Sequence, residues 1–114
     1  MKNFISIPDH LTTKELDKIH PEFFKALGDP TRLALVSYLA EVGKPSTVTE
    51  VSSCCGIDFS GVSRHLKILR EAGIVKVTKK GRQSFYSLET DKITNTLIGI
   101  TEILKNLSGE VKKT

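Results

Sequence analysis

Hydrophobic residues recur at the spacing of an α-helix over most of the length of this chain. Within residues 30–42 the apolar side chains recur at spacings of three and four, at Leu33, Val36, Leu39 and Ala40. Side chains at those spacings share one face of an α-helix. We therefore predict that residues 30–42 form a helix of the core.

Residues that favour helix ends divide the rest of the chain. The spacing of a capping box, in which Ser or Thr is followed by Glu at the third helical position, occurs at Thr12 and Glu15 and again at Thr47 and Glu50. Proline suits the first turn of a helix, and glycine commonly follows the last turn. Further helix starts are indicated at Pro21, Asp29 and Asp58, and helix ends at Gly28, Gly56 and Gly73.

The segment from Val48 to Ala72 has the pattern of a helix-turn-helix. A short helix that contains Cys54 and Cys55 ends at Gly56, and a second, amphipathic helix follows. Helical spacing in the second helix places Val62, Leu66 and Leu69 on one side, and Ser60, Arg64, Lys67 and Glu71 on the other. The apolar side is predicted to face the core and the polar side to face outward.

The residues after Gly73 predict a small β-hairpin. Ile74–Thr78 and Ser84–Leu88 are rich in β-branched and aromatic residues, and Gly81 lies between them. A final helix over residues 91–107 carries a broad apolar stripe. A terminal helix that apolar in a small domain indicates a partner, for which the same helix of a second subunit is a natural candidate.

The predicted fold is mainly α-helical with a small β-hairpin. It is a winged helix-turn-helix with about five or six helices and a two-stranded wing. Its parts are an N-terminal arm and helix over residues 1–20, the helix-turn-helix over residues 47–72, the wing over residues 74–88, and a dimerisation helix over residues 91–107.

Composition bounds the class of protein. The 114 residues correspond to a single domain, and no apolar run approaches the roughly 20 residues that a membrane span requires. The N-terminal stretch reaches Pro8 and Asp9 too early for a signal peptide. A cytoplasmic protein is expected, and two adjacent cysteines, which cannot form a disulfide framework, agree with a reducing compartment.

Charge is concentrated in one part of the chain. The net charge is +4, but residues 60–86 hold seven Lys or Arg and one Glu, so that this segment carries +6 and the remainder −2. A surface that is basic in one place indicates a polyanion bound on one face. A membrane surface is disfavoured because the segment lacks the exposed Trp or Phe anchors of an interfacial helix.

Three motifs together resemble the ArsR/SmtB family of bacterial and archaeal repressors. They are DPTRLALVSYL at residues 29–39, SRHLKILREAGIV at residues 63–75 and KKGRQSFYSL at residues 79–88, and the resemblance covers roughly residues 21–104. It implies a homodimer whose first and last helices form the subunit interface. It also implies that Phe59–Ala72 enters the DNA major groove beside the hairpin, and that an inducer releases the dimer from an operator near its own gene.

The basic helix face and the hairpin supply the candidate DNA-binding residues. Arg64 is expected to contact a guanine edge or a phosphate, and Lys67 a phosphate. For His65 both a packed, hydrogen-bonded histidine and a phosphate contact remain open, and Arg32, which matches the family's arginine, is expected at a phosphate. The other candidates are Ser60 and Ser63 as donors to phosphates or bases, Gly61 for close backbone approach, and Lys79, Lys80, Arg82 and Gln83 along the backbone or minor groove.

Metal-sensing members of the family place ligands at two common sites, and this chain departs from both. Aligned on SRHL, the usual cysteine positions before the turn are Thr47, Thr49 and Ser52. In the final helix Asp91 is present, but residues 92–107 contain no His and only Glu102 as a further acid. A conventional zinc sensor is therefore not expected.

Cys54 and Cys55 support two interpretations. As small apolar side chains they can simply fill the core. As thiols they can bind a soft ion such as As(III), Hg(II) or Cu(I), or react with an oxidant. Their Cα atoms, about 3.8 Å apart, are too close for an unstrained disulfide, and two thiols are too few for tetrahedral zinc. A third donor would come from His10, His20 or the partner subunit, and no other cofactor is expected.

Two further function classes compete with a repressor. A winged helix can bind DNA without any metal or redox response, or can serve only protein or RNA contacts. Affinity for duplex DNA that falls steeply with salt separates the DNA binder from the protein or RNA module. An enzyme is not expected, because the chain has neither a nucleophile motif nor a phosphate-binding glycine loop.

Overall fold

The winged helix-turn-helix predicted from the sequence is confirmed. The computed structural model describes the backbone of residues 21–112 and the side chains of residues 21–106. This part of the chain forms α1 Pro21–Leu27, α2 Pro30–Val42, α3 Val48–Cys55, α4 Phe59–Glu71, β1 Val75–Lys80, β2 Gln83–Leu88 and α5 Thr90–Lys112. The predicted arm and helix over residues 1–20, with the capping box at Thr12 and Glu15, lie outside the described residues.

Local capping chemistry sets the helix boundaries where the sequence indicated them. Thr47 Oγ1 accepts the N–H of Glu50 at 3.2 Å, and Glu50 Oε1 accepts the N–H of Thr47 at 2.8 Å, which completes a capping box at the start of α3. Asp29 Oδ2 accepts the N–H of Arg32 at 3.0 Å at the start of α2. At Gly56 the backbone is left-handed, with φ of +65°, so that α3 ends there.

Residues 21–93 form one compact unit around a single hydrophobic core. In α2 the buried side chains are Leu35 and Leu39, whereas Leu33 is 50% exposed and Ala40 is exposed. The core face predicted from Leu33, Val36, Leu39 and Ala40 is therefore rotated from the true one, because α2 is apolar on nearly all sides. The core consists of Phe23, Ala26, Leu35, Leu39, Val51, Val62, Leu66, Leu69, Ile74 and Val75.

The two strands pair antiparallel, with Val75 opposite Leu88 and Lys80 opposite Gln83. Gly81, with φ of +62°, lies in the turn between them. One further residue joins the sheet, because the N–H groups of Ser46 and Tyr86 each donate to the other's carbonyl oxygen at 2.8 Å. The loop between α2 and α3 is thereby attached to the wing.

The last helix is longer than predicted. α5 continues to Lys112 rather than ending near Leu107, because the apolar stripe that guided the prediction stops before the helix does. Residues 94–112 belong to a second compact unit, in which Gly99 and Ile103 are buried while Leu97, Ile98 and Leu104 are exposed. Within residues 21–112 no helix combines the length and apolarity needed to cross a membrane.

Candidate nucleic-acid interface

Helix α4 presents a polar, basic surface because its apolar stripe is anchored in the core. Val62, Leu66 and Leu69 are each fully buried, which turns the opposite side of the helix outward. Ser60, Arg64 and Lys67, defined here as the outward face of α4, are all exposed. The one salt bridge among the described residues joins Lys92 to Glu89, so neither Arg64 nor Lys67 is paired with a described acid. Both cations are available to an anionic ligand.

The start of α4 is organised by the carboxylate of Asp58. Its Oδ2 accepts the hydroxyl of Ser60 at 2.6 Å and the N–H of Gly61 at 3.1 Å. These two hydrogen bonds, that from Ser60 first, lower the pKa of Asp58 below its ordinary value. The hydroxyl hydrogen of Ser60 is therefore committed to the cap. Ser60 can still accept a hydrogen bond through its oxygen, whereas the sequence had suggested it as a donor.

Gly61 is buried and serves the cap rather than an open surface. A Cβ atom at this position would lie 2.9 Å from Asp58 Oδ1 and 3.3 Å from Ile57 Cγ2. The approach of the capping loop to the helix thus favours glycine at this position, and the close approach of Gly61 to DNA stays a prediction. Ser63, another predicted contact, is half-buried at the flank of α4.

Arg32 links three elements and is half-buried. Its Nε donates to the carbonyl of Ala26 at 2.7 Å and its Nη2 to that of Lys25 at 3.4 Å, which satisfies backbone oxygens in the last turn of α1. Its Nη1 lies 3.3 Å from His65 Nδ1 on α4. Since a guanidinium can only donate, Nδ1 accepts, and the hydrogen of the neutral ring is on Nε2. The structure thus places Arg32 where it orients α4.

The wing carries the remaining predicted DNA contacts, three cations and one amide. Lys79, Lys80, Arg82 and Gln83 are exposed around its turn. Lys80 Nζ lies 6.0 Å from the centroid of the Phe85 ring, at the outer limit of a cation–π contact. Two hydrogen bonds between the backbones of Ser46 and Tyr86 hold this hairpin against the loop that precedes α3. The wing and the helix-turn-helix are thus joined through the backbone.

An open groove of about 280 Å³ separates the wing from the start of α4. Phe59, the first residue of α4, lines it and is 58% exposed. The sequence prediction did not single out this residue, because helical spacing places it beside the buried Val62. The sequence feature that could have indicated its exposure is its position in the first turn of α4, before the first buried apolar residue, Val62. The full lining is Thr47, Val48, Thr49, Phe59, Arg82, Gln83, Ser84 and Tyr86.

The cysteine pair ends α3, next to the turn. Cys54 is exposed and Cys55 is half-buried against the core, and the two Sγ atoms lie 3.6 Å apart. Burial first, and then the hydrogen bond to Cys54, raise the pKa of the Cys55 thiol. Within residues 21–106 no third His, Cys, Asp or Glu joins the pair to form a metal-binding group. Of the suggested donors, His10 and His20 lie outside the described residues.

Comparison with known proteins assigns the family. A model described as a helix-turn-helix domain matches residues 27–78. The chain is 39% identical over 88 residues to the uncharacterized HTH-type transcriptional regulator YceK of Bacillus subtilis, across 77% of this chain and 88% of that protein. It is 33% identical over 86 residues to the arsenical resistance operon repressor of the same organism, across 75% of this chain and 81% of that repressor.

A solved structure shares the fold. The homodimeric winged helix-turn-helix DNA-binding domain of Mb0332 from Mycobacterium bovis has a TM-score of 0.63 at 18% identity, across 90% of this chain and 91% of that one. Identity this low supports the fold alone, whereas the two Bacillus relatives are similar over most of their own length. Together with the exposed basic helix and wing, these similarities show that the chain belongs to the ArsR/SmtB family of winged helix-turn-helix, DNA-binding transcriptional regulators.

Proposed function

We propose that the protein is a homodimeric repressor that binds operator DNA through α4 and the wing, and that an inducer releases it. The observation that carries the proposal is the outward face of α4, where Arg64 and Lys67 are exposed and neither forms a salt bridge with a described acid. Cations presented on a helix of this length beside a basic hairpin suit a major groove and its flanking phosphates.

The individual contacts differ in kind. Arg64 reads a guanine edge or binds a phosphate, and Lys67 neutralises a phosphate. Ser60 accepts a hydrogen bond from a base amino group, since its own hydrogen is donated to Asp58. His65 uses its Nε2 hydrogen toward a phosphate, while its Nδ1 accepts from Arg32. On the wing, Lys79, Lys80, Arg82 and Gln83 track the DNA backbone or the minor groove.

The homodimer forms through the terminal helices. In α5, Leu97, Ile98 and Leu104 are 44%, 50% and 59% exposed, respectively. Burial of apolar side chains in contact with a second copy would remove them from water at a gain of roughly 25 cal/mol per Å². The related domain of Mb0332 is homodimeric, which supports the same assembly here. The two copies of α4 in the dimer would then each bind one DNA half-site.

The cysteine pair is the proposed inducer site. A soft ion bound by both thiols would draw Cys55 from its half-buried position against the core. Cys55 is the last residue of α3, and only Gly56, Ile57 and Asp58 separate it from α4, so displacement there would tilt α4 relative to its twin. The relative named as an arsenical resistance operon repressor supports a soft metalloid as the ligand class. The alternative is that both thiols merely fill space beside the core.

A titration of duplex DNA tests the proposal. A fluorescent duplex from the region upstream of the protein's own gene is titrated at several salt concentrations, beside a shuffled duplex of equal length. We expect tighter binding of the upstream duplex and a steep fall in affinity as salt rises. Equal, weak and salt-insensitive binding of both would contradict the repressor and indicate a module for protein or RNA contacts.

The sensing step has its own test. The titration is repeated with As(III), Hg(II), Cu(I), Zn(II) and an oxidant, on the wild type and on Cys54→Ser with Cys55→Ser. We expect at least one thiophilic agent to lower the affinity of the wild type and not that of the double variant. An unchanged response in the double variant would show that Cys54 and Cys55 are not the inducer site. Ser53→Ala, in the same helix, is the matched control.

A further inference from the structure

Phe59 is the exposed aromatic side chain of α4. It is 58% exposed and is absent from the core cluster and from the hydrophobics packed against it. The apolar residue that precedes the cap and packs on the core is Ile57, so the hydrophobic contact that often fixes a helix start is already made. The exposed part of the Phe59 ring is therefore available for a contact outside the subunit.

The position of Phe59 defines what it can reach. It is the first residue of α4, directly before Ser60 of the outward face, and it lines the groove that Arg82 and Gln83 line from the wing. In a helix-turn-helix the N-terminal residues of the helix in the major groove contact base edges. A phenyl ring makes no conventional hydrogen bond to a base, so an apolar feature of a base edge is the partner that best suits it.

The major groove offers one such feature, the C5-methyl group of thymine. We infer that Phe59 reads a thymine methyl group in each half-site of the operator. This inference rests on the proposed function, and it deepens that proposal by naming an apolar, sequence-reading contact beside the cationic ones. Since no charge is involved, this contact contributes to base preference and not to the salt dependence of binding.

The test removes the methyl group from the DNA and the ring from the protein. The wild type first selects a duplex from a random-sequence library, and each thymine of that duplex is then replaced singly by deoxyuridine, which lacks only the methyl group. Affinities are measured for the wild type, Phe59→Ala and Ile68→Ala at one salt concentration. Ile68 is the matched control, because it is also an exposed apolar residue of α4, at 40%.

We expect one thymine position in each half-site at which deoxyuridine weakens binding by about fourfold, the size expected for one buried methyl group. The same weakening should occur with Ile68→Ala and should disappear with Phe59→Ala. Phe59→Leu, which keeps an apolar side chain, should retain part of it. Thermal unfolding of each variant shows whether it is folded. The deoxyuridine scan of the wild type tests the inference even if a variant fails to fold.

The outcomes separate this inference from the proposed function. If the selection enriches no duplex, the repressor proposal fails and the inference fails with it. If a duplex is enriched but the deoxyuridine scan of the wild type is flat, only the thymine contact is overturned. The contact is equally overturned if Phe59→Ala remains fully sensitive to deoxyuridine at that position.

Discussion

Arg32 Nη1 and His65 Nδ1 lie 3.3 Å apart and join the start of α2 to helix α4. The same guanidinium donates to the carbonyls of Lys25 and Ala26 at the end of α1. The side chain of Arg32 thus links helices α1, α2 and α4. The sequence suggests Arg32 as a phosphate contact, and in the structure three of its nitrogen atoms make contacts within the protein.

Replacing Arg32 should therefore affect stability more than DNA electrostatics. We expect Arg32→Gln to lower the free energy of unfolding by about 1–3 kcal/mol, because this substitution removes hydrogen bonds from a charged donor, of which those to Ala26 and His65 are partly buried. Arg32→Lys should recover little, since an ammonium cannot reproduce the fork of the guanidinium. Urea unfolding measures the change. A salt slope of DNA binding that falls while stability is unchanged would instead identify Arg32 as a phosphate contact.

Gly61 and Asp58 should be energetically coupled. Glycine in a helix normally costs about 1 kcal/mol relative to alanine, so Gly61→Ala ought to stabilise α4. Its Cβ atom would lie 2.9 Å from Asp58 Oδ1 and would push the capping carboxylate away. We expect the gain to vanish in the wild type and to appear in an Asp58→Ala background. Denaturant unfolding of the four proteins measures this coupling, and additive effects would refute it.

Stability should fall in acid partly through the capping carboxylates. The pKa of Asp58 is lowered in the folded state by Ser60 and Gly61, and that of Asp29 by the N–H of Arg32. A carboxyl group with a lowered folded pKa stabilises the protein above its ordinary pKa, and this contribution is lost as the pH falls through the lowered value.

The variant Asp58→Asn isolates this effect, because asparagine can also cap a helix but does not titrate there. We expect its unfolding temperature to fall less steeply than that of the wild type below about pH 4. Parallel curves for the two proteins would show that the Asp58 carboxylate has no folded-state advantage.

The two thiols should react at different rates. Cys54 is exposed, whereas burial and the hydrogen bond to Cys54 raise the pKa of Cys55. Since the thiolate is the nucleophile, limited alkylation with iodoacetamide near neutral pH should modify Cys54 first. Mass spectrometry of proteolytic fragments measures the order. Preferential modification of Cys55 would mean that the pair is arranged differently in solution.

Local chemistry explains which parts of this fold could be predicted from the sequence. Helix boundaries depend on residues that are close in the chain. The structure has the predicted helix starts at Asp29, Thr47 and Asp58 and the predicted helix ends at Gly56 and Gly73. The basic outward face of α4 followed in the same way from helical spacing.

The features that escaped prediction are long-range. Helix α2 is apolar nearly all round, so its spacing could not distinguish buried Leu35 from exposed Leu33. The pairing of Ser46 with Tyr86 and the contact of Arg32 with His65 join residues far apart in the chain. Without those partners, Arg32 resembles a surface cation. The exposure of Phe59 was not predicted for the same reason, because it depends on which residues of α4 other elements of the fold cover.

The salt dependence of duplex binding tests the central claim, that the outward face of α4 neutralises DNA phosphates. The slope of log affinity against log salt is measured for the wild type, for Lys67→Gln and for Lys92→Gln, whose lysine already pairs with Glu89 at 3.4 Å. We expect Lys67→Gln to reduce the slope by about 1 for each phosphate that is no longer neutralised, and Lys92→Gln to leave it unchanged. Equal slopes for all three proteins would contradict the assignment of α4 as the DNA-binding helix.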